Sequence, residues 1–164
     1  MNDLQTAALR VPTQPPKPLE IRLLPGEMAV ADGAVITTLL GSCISVCLWS
    51  PEPLLGGMNH YIMPEWNGLG DPSPRFGNVA ISDLIAAMIA RGAKRHRLTA
   101  MMFGGASMFH SSGESPAVGS QNIAVGLRLL GAEGISVVSN DVGGLRGRRV
   151  TFYTDTGRIV SNLV

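Results

Sequence analysis

The sequence predicts an α+β fold, with mixed or antiparallel β-sheet and two sizeable helices packed over it. Three observations carry that expectation. Most apolar segments are short, rich in β-branched residues and bounded by Gly or Pro turns, as strands are. Only two stretches repeat their apolar residues at helical spacing. The helices and strands also fail to alternate strictly, which argues against a parallel α/β sheet.

Residues 1–18 contain Pro12, Pro15, Pro16 and Pro18 and few apolar side chains, the composition of a flexible leader. Order is expected from Leu19, in one domain spanning 19–164. Leu19–Leu24 alternates like a strand up to the Pro25-Gly26 turn, and a short strand, GEMAVA, follows. The run from Ala34 to Ser50 is dense in Val, Ile and Thr and reads as strand. Ser50-Pro51-Glu52-Pro53 is a turn into the strand LLGGMNHYIM, which ends at Pro64.

A Gly- and Pro-rich loop covers 65–77. The first helix follows, with Ile81, Leu84, Ile85, Met88 and Ile89 on one stripe, Asn78 or Ser82 helping to cap it and Arg91-Gly92 ending it. LTAMMFGGA is a strand running into a glycine turn, and 107–119 a loop. The second helix spans about Ser120 to Leu130, with Ile123, Leu127 and Leu130 on one side and Gly131 as its stop. GISVVSNDVGG is a strand and turn, and the last residues form a hairpin about Asp155-Thr156-Gly157.

Composition excludes several functions. The chain has 164 residues, 45% hydrophobic and 15% charged, with a formal net charge of +1. That balance gives no general attraction to nucleic acid or to an anionic membrane. No apolar run reaches the roughly 18 residues a bilayer span needs, and the first residues lack the apolar core of a secretory signal. A cytoplasmic location is expected. The basic groups Arg91, Lys94, Arg95 and Arg97, and Arg146, Arg148 and Arg149, read as solvated structure or as a docking patch for an acidic helix. FGGASMF lacks the GxxxxGK[ST] pattern of a nucleotide loop.

Cys43 and Cys47 are the two cysteines. On a strand they lie about 13 Å apart, beyond disulfide reach. Without a CxxC pair, and with scattered histidines, zinc is a poor fit. A free cysteine is ordinarily a small core residue, and Cys47, inside SVCLW, suits that role. Cys43 follows Gly41-Ser42, which leaves room for close approach. A tight turn centred between Pro51 and Glu52 sets Cys43 directly opposite His60, unless Gly56-Gly57 carries a bulge or the turn splays the strands. Thr37, an even number of positions before Cys43, shares its face if the strand is unbroken at Gly41. Thr37 is then either an orienting hydroxyl or an ordinary strand residue. An imidazole beside a thiol raises its thiolate fraction and can relay its proton. His96 and His110 lie in a basic turn and a loop, without such a partner.

Taken together, TTLLGSCISVCLW (37–49), GGMNHYIMP (56–64), RFGNVAISDLI (75–85), FGGASMF (103–109), VGSQN (118–122) and DVGGLRGRRVTFYTDTGRIV (141–160) resemble the CheD family, in the family's order. Phe76 stands where many relatives have tyrosine. The resemblance implies a fold of packed sheets flanked by helices, related to cysteine-dependent toxin deamidases. It implies hydrolysis of selected glutamine side-chain amides on methyl-accepting chemotaxis receptors, with Cys43, His60 and Thr37 as catalytic residues and no metal or organic cofactor. A CheC-type phosphatase is a further implied partner, and a binding module for it is the alternative function. Donors for the oxyanion are sought around Ser42-Cys43 or in the Gly104-Gly105 turn. A purely structural domain with Cys43 in its core is the remaining reading.

Overall fold

The computed structural model describes residues 17–107 and 117–164. The expected leader lies almost wholly outside the described residues, as does most of the expected 107–119 loop, His110 included. The order is β1 (Leu19–Arg22), β2 (Met28–Ala31), β3 (Ala34–Leu40), β4 (Ile44–Pro51), β5 (Leu54–Asn59), α1 (Gly77–Ala90), β6 (Thr99–Gly104), α2 (Val118–Ala132), β7 (Ser136–Val142), β8 (Arg148–Tyr153) and β9 (Arg158–Leu163). The α+β class, the two helices and the final hairpin are as expected.

Two sheets result. One has the order β1-β3-β8-β9 and the other β2-β5-β4-β6-β7, and each mixes parallel and antiparallel pairs. The two sheets face each other across Ile36, Leu40, Cys47, Met58, Met101, Val150 and Phe152. Both helices cover the opposite face of the five-stranded sheet, where Ile44, Val46, Leu48, Leu84, Met88, Met102 and Leu130 form a second apolar cluster. The result is sheet on sheet on helices. A chain that alternates side chains strictly along β4 supplies both clusters at once.

The 34–50 run is two strands in different sheets, not one. The chain leaves β3 at Leu40, turns through Gly41, Ser42 and Cys43, and enters β4 at Ile44. This break cancels the face-counting that linked Thr37 to Cys43. The hairpin that follows is also shifted. Pro51 pairs with Leu54 and Cys47 with Met58, so the centre lies between Glu52 and Pro53. Gly56 and Gly57 carry no bulge. A Cβ on Gly56 would lie 2.8 Å from Phe152, and one on Gly57 2.9 Å from Leu84, so these glycines let both neighbouring layers press on β5.

Helix α1 starts at Gly77 with no side-chain cap, Asn78 instead accepting from Trp66 N–H and Val79 N–H. Its predicted stripe is buried except for Ile89. On α2 Leu130 is buried and Ile123 packs against the core as expected, but the third residue of the stripe departs. Leu127 is exposed, and Gly119, Asn122, Val125, Gly126 and Leu130 face inward, because small residues allow the helix close to Gly105 and Met102. Arg91, Arg95 and Arg97 make surface ion pairs with Asp32, Glu133 and Glu52. Arg148 departs from the solvated reading: it is buried, with Nε 2.9 Å from the Asp141 carboxylate.

Gly104 locks β6 to the turn carrying Cys43. Its φ is +105°, and an added Cβ would sit 2.2 Å from the Cys43 carbonyl oxygen. Gly104→Ala is expected to lower the urea-unfolding free energy by about 2 kcal/mol or more, through backbone strain and a steric clash. Gly131→Ala, with open space around its Cβ, should leave it unchanged or slightly raised.

Candidate active site

Cys43, Ser45, Cys47 and Trp49 lie on the face of β4 and its approach that looks towards the four-stranded sheet. Gly56, Met58 and His60 line the same face from β5 and its extension. The ladder continues past the strands through reciprocal bonds between Ile44 and Tyr61, at 3.0 and 2.9 Å. In that register His60 stands opposite Ser45, and Cys43 opposite Ile62. Cys43 and His60 are therefore diagonal neighbours, not directly opposed as expected. Such positions lie about 7–8 Å apart between Cα atoms, within reach of an imidazole. No hydrogen bond joins the thiol to the ring among the described residues.

The histidine is held from three sides. Its N–H donates to Glu27 O at 3.0 Å, and its carbonyl accepts from Gly26 N–H at 2.7 Å. Its ring Nδ1 lies 2.8 Å from the Thr38 hydroxyl. Thr38, not Thr37, is the threonine that meets His60. Along β3 the residues Ala34, Ile36, Thr38 and Leu40 are buried, so Thr37 points the other way. It faces a surface pocket shared with Arg22, Leu39 and Arg149. Counting parity inside β3 alone places a hydroxyl in that buried row. Extending the count through Gly41 picked its neighbour.

The Thr38 hydroxyl fixes the tautomer of His60. With its one proton directed to Leu23 O, 3.0 Å away, the hydroxyl accepts from the imidazole 2.8 Å away. In that arrangement Nδ1 carries the hydrogen. Nε2, buried and without a partner among the described residues, keeps its lone pair. Burial pushes the His60 pKa from 6.5 down to about 4, with the Glu27 carboxylate pulling it partly back. Burial also pushes the Cys43 thiol up, partly offset by its own backbone N–H. Both shifts favour an uncharged resting pair: a thiol and a basic Nε2. Cys47 is fully buried, its thiol pushed up to about 12, and belongs to the core as expected.

The glycine turn serves the site as scaffold. Gly105 N–H donates to Cys43 O at 2.8 Å and Ala106 N–H to Gly41 O at 2.9 Å. Gly105 N–H is thus already spent on Cys43 O and is not available as an oxyanion donor. Asn59 and Asn122, both buried, were not singled out by sequence reasoning. Asn59 accepts from Val46 N–H and donates to Ala80 O, tying β4, β5 and α1 together. Among the described residues no cluster of three His, Cys, Asp or Glu side chains is arranged to hold a metal ion. No helix among them is long and apolar enough to cross a membrane.

A cysteine on a sharp crossover, and a buried histidine with a hydroxyl against its ring, are side-chain types that thiol hydrolases use. The family model described as CheD chemotactic sensory transduction matches residues 63–162. A protein of Sulfurimonas denitrificans, named "Probable chemoreceptor glutamine deamidase CheD", is 42% identical over 132 residues, which are 80% of this chain and 85% of that one. A namesake in Trichlorobacter lovleyi is 40% identical over 139 residues, covering 84% and 86%. Another, from Caulobacter vibrioides, is 40% identical over 154 residues, covering 92% and 81%. The chain belongs to the CheD family.

A histidine buried in its neutral form makes stability depend on pH. Between pH 6.5 and about 4 the unfolded His60 is protonated and the folded one is not. The unfolded state then binds more protons, and stability falls with acidity across that window. Urea unfolding from pH 7 to 4.5 should show a shallower loss for His60→Gln than for the unsubstituted protein.

Proposed function

We propose that this chain hydrolyses the side-chain amide of glutamine residues on chemotaxis receptors, giving glutamate and ammonia. What carries the proposal is the kinship with proteins named chemoreceptor glutamine deamidase, at 40–42% identity over most of both chains. The arrangement of Cys43, His60 and Thr38 supports it chemically.

In the proposed reaction His60 Nε2 takes the Cys43 thiol proton as sulfur attacks the carboxamide carbon. A C–S bond forms, and the carbonyl π pair moves onto oxygen. When the tetrahedral adduct collapses, that pair returns, the C–N bond breaks and the imidazolium passes its proton to the departing nitrogen as ammonia. Water, deprotonated by Nε2, attacks the thioester. The thiolate leaves and recovers the proton, and glutamate remains. Thr38 holds the ring in the tautomer that leaves Nε2 basic, through both the thiol and the water step. Every turnover adds one negative charge to the substrate.

The experiment is incubation of the protein with a receptor cytoplasmic fragment, read by peptide mass spectrometry for conversion of Gln to Glu. Cys43→Ala and His60→Ala should abolish conversion. Thr38→Val should slow it by about 10²-fold, the lower range of acid–base contributions, and Thr37→Val should leave it within about threefold. Absence of conversion by the unsubstituted protein, or undiminished conversion by Cys43→Ala, contradicts the proposal.

A further inference from the structure

Asn122 has no part in the chemistry above, yet it sits where the strands bearing Cys43 and His60 separate. Its side-chain Nδ2 donates to Ser42 O at 3.0 Å and to Ile62 O at 2.8 Å. The backbone carbonyl of Asn122 accepts from the Tyr61 hydroxyl at 2.7 Å, and the side-chain Oδ1 has no partner among the described residues. Both side-chain contacts are carbonyl oxygens, so the nitrogen of the amide must face them. The residue is fully buried.

The ladder explains what this contact does. Ile44 and Tyr61 exchange two backbone hydrogen bonds. In an antiparallel pair the next residues to do so would be Ser42 and Met63. Met63 is diverted: its N–H donates to Arg75 O, and its carbonyl accepts from Gly77 N–H. Ser42 O, deprived of Met63, is capped by Asn122 instead. Ser42 N–H and Cys43 N–H are left without an acceptor on any other described residue. On the far side, Gly105 holds the Cys43 carbonyl. The peptide around the nucleophile is thus pinned by its two carbonyls, and among the described residues its two amides meet no acceptor outside the segment, the Cys43 N–H facing its own sulfur.

We infer that Asn122 is a positioning residue that keeps the Ser42 and Cys43 amides open as donors to the tetrahedral oxyanion. The inference rests on the thiol-hydrolase reading of the site. Asn122 touches neither sulfur nor substrate. It acts by satisfying Ser42 O and Ile62 O without letting the two strands zip together and consume the donors. Backbone amides fixed in this way stabilise the negative oxygen with little reorganisation, each contributing about 10²–10³ in rate.

The test separates oxyanion formation from thiol reactivity. Addition of carbon-13-labelled butyraldehyde to Cys43 gives a hemithioacetal whose oxygen occupies the oxyanion position. Alkylation by iodoacetamide proceeds by displacement at a saturated carbon and develops no such oxygen. Asn122→Ala and Asn122→Ser should weaken the Cys43-dependent hemithioacetal, followed by carbon NMR, by about tenfold or more. Alkylation of Cys43, followed by peptide mass spectrometry, should change less than threefold. Where glutamine conversion is observed, its kcat should fall with the hemithioacetal and KM should not. Tyr61→Phe, which removes only the bond to the Asn122 carbonyl, should lower thermal stability and leave the ratio of the two probes intact.

Equal losses in both probes, or no loss in either, overturn the inference, as does a changed ratio in Tyr61→Phe. A variant that does not fold is replaced in the comparison by the other, and failure of both to fold counts against a positioning role. If the ratio changes as expected but no receptor fragment is deamidated, the amide geometry stands and the substrate reading falls.

Discussion

The chain has three residues, Gly41, Ser42 and Cys43, in which to leave one sheet and join another, and the site depends on that crossover. On one side the backbone belongs to β3, whose inward row carries Thr38. On the other it belongs to β4, whose neighbour β5 leads to His60. The thiol therefore emerges where two sheets and the end of a ladder meet. A strand running straight on would have kept Cys43 in a single sheet, with its amides consumed by neighbours. The glycines of the β6 end complete the arrangement: Gly104 comes too close to Cys43 O for any side chain, and Gly105 binds that oxygen.

The second constraint is the single proton of the Thr38 hydroxyl. Because it goes to Leu23 O, the hydroxyl acts on His60 only as an acceptor. A weak, neutral hydrogen bond thereby sets which nitrogen is basic. Desolvation sets the charge, since the pKa of the ring falls to about 4 and that of the thiol rises. A permanent thiolate–imidazolium pair is disfavoured in such surroundings. In the proposed reaction, proton transfer coupled to attack on the carboxamide suits an uncharged pair, with Nε2 as the accepting atom.

Much of this was legible in the amino-acid order, and the misses have more than one physical origin. Alternation and turn residues located the strands and the helical stripe of α1, and Cys43 and His60 emerged as the pair to examine. Register was the weak point. Moving the hairpin centre by one residue, to Glu52-Pro53, displaces every opposed partner by two, which turned a facing pair into a diagonal one. Treating 34–50 as one strand set Thr37, which the resemblance also named, on the face of Cys43, whereas Thr38 is the threonine in contact with His60. Asn122 was invisible for a different reason. A polar residue on the inner face of α2 contradicts the apolar stripe by which a helix is oriented, and its partners are backbone carbonyls from distant segments. No periodicity encodes those. Arg148 escaped similarly, because its partner Asp141 stands on β7 of the other sheet.

The protonation of one ring, that of His60, decides which nitrogen can act as a base. Nitrogen-15 NMR of the histidine side chains near pH 7, with His60 assigned by its absence in His60→Gln, reads it directly. Nδ1 should resonate as the protonated, pyrrole-type nitrogen and Nε2 as the unprotonated, pyridine-type one, with the pattern lost in Thr38→Val. An imidazolium at that pH, or a ring protonated at Nε2, would contradict the assignment of Thr38 as the acceptor and of Nε2 as the base.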